Sequence, residues 1–157
     1  MNTAETMTTV RYLSQGSRLD AAVACQAGRL KELRLAADRV GALRIKEVTV
    51  CSSPSGEAPY VRALDQIWEL QDAIDRDLEL LVRLDRQIDR VINTLLSPDY
   101  RLLLRYRYLG RRTWPQIANA MHIDPRTARR WHEKAVSLLT LPDDAIWICE
   151  ENGRNIA

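Results

Sequence analysis

Apolar side chains recur at alternating four- and three-residue intervals through Leu19, Val23, Leu30, Leu33, Ala37 and Val40, with Gln26 filling one place in the stripe. That spacing turns one face of a helix toward a partner and predicts a first helix from about Arg11 to Lys46. Residues 1–10 carry no such pattern and are expected to be a flexible N-terminus. Residues 49–59 (TVCSSPSGEAP) are rich in Pro, Ser and Gly, which makes them a loop by composition. A second long helix is predicted from Tyr60 to Leu96. Leu64, Ile67, Ile74, Leu78, Leu81, Ile88, Ile92 and Leu95 trace a heptad seam interrupted at Gln71 and Asp85. Leu70, Leu84 and Val91 widen it, and Trp68 is assigned to it. Asp72, Asp75, Arg76, Arg83, Arg86, Asp89 and Arg90 occupy the other faces. Residues 11–97 are therefore expected to form an antiparallel helical hairpin, a unit for oligomerisation or partner binding. A homodimer through the same surface is the alternative, because a lone hairpin leaves part of so wide a stripe uncovered.

The pattern changes at Ser97-Pro98-Asp99. Proline is tolerated where a helix starts and not inside one, so a domain boundary is drawn there. Residues 98–141 read as three short helices. The first, Asp99 to Leu109, closes at Gly110, a residue suited to a left-handed cap. The second opens at Thr113-Trp-Pro-Gln116, a capping-box pattern, and turns Ile117, Ala118 and Met121 inward. Ala118 is small where two helices must cross closely. Asp124 caps the third, which runs to about Thr140 with Pro125 in its first turn. Ala128, Trp131, Ala135 and Leu138 form its buried face. Pro125, Arg126, Thr127, Arg129, Arg130 and Lys134 then face outward.

Composition adds almost no β signal. Phe is absent, Gly and Pro number six each, and Leu, Ala, Arg and Asp dominate long stretches. The expected fold is all-α: a long N-terminal helical hairpin, coiled-coil-like, followed by a three-helix helix-turn-helix domain. With no Phe to fill the smaller core, Trp114 and Trp131 are expected there. Residues 142–157 make an acidic C-terminal tail. The apolar segment around Trp147 within it either folds back on the bundle or meets a partner.

Charge gives the small domain a function. The chain's net charge is +2, but residues 1–99 carry −2, residues 100–140 carry +7 and the remainder −3. Eight of the nine basic residues in the middle stretch are arginines, the electrostatic footprint of a phosphate-binding face. The third helix suits a recognition helix, whose N-terminal half enters the major groove. There Arg bonds guanine bidentately and Thr meets the thymine methyl. Double-stranded DNA is thus the expected partner. Arg126, Thr127, Arg129 and Arg130 are the expected base or near-phosphate contacts, with Thr113 and Pro125 at the two helix starts. Arg111, Arg112 and Lys134 are the expected backbone contacts.

Other chemistries find no support. His122 and His132 lie ten residues apart without Cys or carboxylates at ligand spacing, so no metal site is expected. His122 reads as a turn residue and His132 as a groove-side or backbone contact. There is no Gly-rich phosphate loop, nucleophile elbow or acidic nuclease triplet; neither an enzyme nor a cofactor is expected. Cys25, Cys51 and Cys149 are widely spaced and odd in number, which reads as reduced thiols of a cytoplasmic protein. No apolar run approaches the ~20 residues of a membrane helix.

Residues 101–118 (RLLLRYRYLGRRTWPQIA) and 123–135 (IDPRTARRWHEKA) resemble region four of bacterial sigma factors. They are still more similar to phage and prophage regulators of the ArpU/RinA type, which place such a module after an N-terminal helical hairpin. The resemblance spans about residues 11–140. It implies a transcription regulator of phage late or mobile-element genes acting in the cytoplasm of a bacterial host cell, with RNA polymerase as a possible partner. No sequence like the promoter-melting region two is present, and Pro125 and Arg126 differ from typical sigma residues at the groove. The −35 sequence preference is therefore not carried over. A phage small terminase subunit is the alternative, although there the DNA-binding module usually comes first.

Overall fold

The computed structural model describes residues 3–47 and 57–148. The fold is all-α, with no strand among the described residues. Five α-helices follow in order: α1 (Thr3–Glu47), α2 (Glu57–Asn93), α3 (Pro98–Leu104), α4 (Trp114–Met121) and α5 (Pro125–Ser137). A single π-helical turn, Arg105–Leu109, continues α3. None of these helices is long and apolar enough to cross a membrane. The loop expected over 49–59 lies mostly outside the described residues, and α2 takes up its end, with Pro59 in the first turn where a missing N–H is harmless.

The chain forms two compact units. One comprises residues 20–80, where α1 and α2 run antiparallel. Val23, Leu30 and Ile74 are its buried core, with Ile67 and Leu70 against them. The polar interruptions of the stripes find each other's helix. Gln26 Nε2 donates to Asp77 Oδ2 at 3.2 Å and Arg34 to Gln71 Oε1 at 2.9 Å. Such pairs fix the register of an otherwise permissive apolar seam. A seam between two helices is narrow, and the flanks of the wide stripe stay in water. Trp68, expected in the seam, is 70% exposed, and Val40 and Leu78 are exposed as well.

The second unit joins the start of α1, residues 3–19, to residues 81–148. Tyr12, Leu13, Leu84, Ile88, Ile92, Leu103, Leu104, Ile117 and Val136 are its largest fully buried side chains. One core thus takes residues from every helix, and the boundary expected at Pro98 runs through the middle of it. A segment of about 44 residues buries too little surface to be stable alone, and the long helices supply the missing apolar area. Residues 3–10, expected to be flexible, are the first turns of α1. Thr8 and Thr9 return their hydroxyls to the carbonyls of Ala4 and Glu5, and Thr9 is buried. Threonine's weak helix propensity hid these turns, and tertiary packing overrides it.

Beyond α5 the chain folds back. Ala145 N–H donates to Pro142 O in a turn, and Asp144–Ile148 then runs alongside α1 and α2. Trp147 meets Tyr12 edge-on, with centroids 5.6 Å apart. Of the two fates expected for the apolar segment, the structure selects the first. The acidic residues from 150 onward lie outside the described residues.

Candidate nucleic-acid interface

The helix-turn-helix is α4, a three-residue turn and α5, and each boundary has a local cause. Ser97 caps α3 and Pro98 is its first residue. The π turn ends on the bond from Gly110 N–H to Arg105 O at 2.8 Å, and Arg112 N–H reaches back to Tyr106 O at 3.0 Å. Gly110 was expected to be left-handed, yet its φ is −79° and Arg111 takes the positive φ of 51°. The wider π turn displaces the reversal by one residue. Glycine still suits position 110, because a Cβ there would sit a tight 3.1 Å from Tyr106 O.

At the start of α4, Gln116 Oε1 accepts from Thr113 N–H at 2.9 Å, one half of the expected capping box. Ile117 and Ala118 are buried as expected, and Met121 is half-buried against the same core. His122 closes α4 in the left-handed conformation (φ 55°), and Ile123 N–H bonds Ala118 O. Its expected role as a turn residue is the observed one. Asp124 Oδ1 accepts from Arg126 N–H at 2.8 Å, satisfying an otherwise orphan donor at the start of α5.

Helix α5 stops at Ser137, three residues short of the expected end. Leu138 and Leu139 donate to the carbonyls three residues back, a tightened last turn. Periodicity therefore fails at its last position. Leu138, expected to be buried, is 56% exposed, while Val136 and Leu139 fill the core beside Ala128 and Ala135. Trp131 is half-buried and meets Tyr100 edge-on at 6.0 Å, and Trp114 is also half-buried against this core.

The basic residues divide sharply. Arg126, Arg129, Arg130 and Lys134 are exposed along one ridge of α5 and form no ion pair among the described residues. Residues three and four apart are neighbours on a helix surface, so these cations form one contiguous strip, with Glu133 its only acid. Pro125 is exposed at its beginning and Thr127 half-exposed beside it. Arg112 is exposed too, its guanidinium stacked 4.4 Å over the Tyr106 ring.

Arg111 breaks from the expected set. Its side chain donates to Leu109 O at 2.8 Å and to Asp85 Oδ2 at 3.1 Å, and its left-handed backbone turns it toward α2 rather than outward. In this structure it braces the turn against α2. Arg105 is likewise tied to Asp89 and Asn93, both at 2.7 Å. Arg107 lies 4.7 Å over Trp114 and donates to Arg112 O at 3.0 Å, so it positions the start of α4. Sequence reasoning missed that role, although the Arg107–Trp114 spacing of seven residues across a glycine turn was its one available signal.

His132, expected toward the groove, is instead packed between Tyr108 and Trp114. Its Nε2 is 2.7 Å from the Tyr108 hydroxyl, and the Trp114 ring stands edge-on at 5.2 Å. Burial foremost, and then the Arg107 charge, hold its pKa down at about 4. Burial pushes Tyr108 up to about 12, with Arg107 opposing. At neutral pH both are uncharged, so neither adds to the charge of the exposed ridge of α5. Among the described residues no group of His, Cys, Asp and Glu is placed to hold a metal ion.

No curated protein and no solved structure matches the chain. One family model does, over residues 57–140, which run from the first residue of α2 to just beyond α5. That match covers 84 of the 157 residues, and the chain accordingly belongs to the family described as protein of unknown function DUF722.

Proposed function

We propose that this chain is a sequence-specific double-stranded-DNA-binding regulator of transcription that reads the major groove with α5. The observation that supports it most is the ridge Arg126, Arg129, Arg130 and Lys134, exposed and without ion-pair partners on the second helix of a helix-turn-helix. Four cations held side by side on a soluble surface repel one another, and a phosphate backbone relieves that cost by releasing its counterions. Arg112 flanks the start of α4, a position from which a phosphate is reached while α5 lies in the groove. The resemblance to sigma region four and to phage regulators of the ArpU/RinA type extends the proposal to promoter-linked control of phage or mobile-element genes in a bacterial cytoplasm.

Selection of bound duplexes from a random library tests the reading. A consensus of a few base pairs should emerge, and Arg126→Ala and Arg129→Ala should each weaken the selected site by roughly 1–3 kcal/mol while relaxing one position. If both substitutions leave binding unchanged, the assignment of α5 is wrong.

A further inference from the structure

Two buried glutamines hold the C-terminal segment in a way that ordinary packing does not require. Gln15, on α1, donates from Nε2 to Ile146 O at 3.1 Å and accepts from Ile148 N–H at 2.6 Å. Gln87, on α2, donates to Asp144 O at 2.9 Å and accepts from Ile146 N–H at 2.8 Å. Each side-chain amide thus pairs with the main chain of residues i and i+2, the pattern one strand offers the next. The two glutamines follow one another along the segment and share Ile146. All four bonds go to main-chain atoms, so they select an extended backbone rather than a sequence.

Tyr12 braces both glutamines from within the helices. Gln15 is 6% exposed and Gln87 3%. Gln15 Nε2 also donates to Tyr12 O at 3.1 Å, and Gln87 Oε1 also accepts from the Tyr12 hydroxyl at 2.7 Å. Tyr12 therefore orients both amides, and its ring receives Trp147. Ile146 and Ile148 are half-buried against the core on alternate positions. Losing the segment would take four hydrogen bonds from the two amides at once.

We propose that Tyr12, Gln15 and Gln87 form a main-chain-reading peptide cleft whose ligand class is an extended segment with apolar residues at alternate positions, and that Asp144–Ile148 is its resident, displaceable occupant. The chemistry is that of strand addition, with two side-chain amides in place of a sheet edge. Tethering gives the resident segment a high effective concentration, so a free peptide competes only when the tether's own contacts are weakened.

The full-length chain carries the test. Hydrogen exchange on single variants comes first: Gln15→Met should speed exchange of the Ile148 amide about tenfold or more, and Gln87→Met that of the Ile146 amide. No change at either amide would mean apolar packing alone holds the segment. Next, Ile146→Asp/Ile148→Asp in the full chain weakens the resident, and a labelled synthetic peptide of residues 142–148 is titrated onto it. Saturable binding that is lost when Gln15→Met and Gln87→Met are added supports the cleft. If the weakened chain loses its tertiary structure, adding the peptide should restore it. A folded chain that binds no peptide, or an unfolded one that the peptide does not rescue, overturns the proposal.

Discussion

The arginines before Gly110 and those of α5 belong to one basic stretch of sequence, yet they meet different surroundings. Arg105 has Asp89 and Asn93, and Arg107 has the Trp114 ring. Arg111, just past the glycine, joins them through Asp85. On α5, Arg126, Arg129 and Arg130 are exposed and form no ion pair among the described residues. A run of cations shows that a phosphate face is feasible; the carboxylates of the facing helix decide which of them compose it. Here Asp89 and Asp85 of α2 pair with Arg105 and Arg111, and Glu133 is the only acid on the ridge of α5.

Substitutions that separate the two sets sharpen this contrast, and the largest effect belongs to α5. The double variant Arg126→Ala/Arg129→Ala should lose roughly 2–6 kcal/mol of affinity for a selected duplex, with the melting temperature nearly unchanged because both residues are exposed. Isothermal binding beside thermal denaturation checks both halves. Equal losses of affinity and stability would erase the distinction.

The next effect concerns the pocket that Arg107 helps to form. His132 titrates at its ordinary 6.5 when unfolded and about 4 when folded. Above pH 6.5 neither state is charged and stability is indifferent to this group. Between 6.5 and about 4 only the unfolded state takes the proton, so stability should fall there by about 3 kcal/mol. Denaturant titrations across that range should show the slope, and His132→Gln should flatten it. A slope that survives the substitution would assign the acid sensitivity elsewhere.

Arg111→Ala removes an ion pair whose side chains are about a quarter exposed, leaving Asp85 without it. A stability cost of about 2 kcal/mol is expected, below the figure for a fully buried pair, with affinity per folded molecule unchanged. Arg105→Gln, at a pair some 40% exposed, should cost less than about 1 kcal/mol. Affinity lost with Arg111 in a fully folded sample would return it to the interface.

Most of the architecture was legible in the sequence, because it rests on local rules. The stripes of α1 and α2, Pro98, the Thr113–Gln116 box and Asp124–Pro125 each act within a few residues, and the helices follow them. The outward strip of α5 followed from the same periodicity. What escaped depends on distant neighbours. The residues facing Arg111 and His132 come from other elements, and the π turn at Arg105–Leu109 reset the geometry between them. Trp68 and Leu138 failed for a simpler reason: a helix with one partner, or one that stops early, leaves part of its apolar stripe in water. Gln15 and Gln87 looked like ordinary polar positions until the segment they hold was in place.

The salt dependence of binding to a selected duplex tests the central claim most directly, since its slope counts the phosphates neutralised. Wild type should show a steep linear fall of log affinity with log salt. Lys134→Gln and Arg130→Gln should each flatten the slope by about one unit, while Arg105→Gln and Arg111→Gln leave it unchanged. A slope that responds alike to all four, or no salt-dependent affinity at all, would contradict the account.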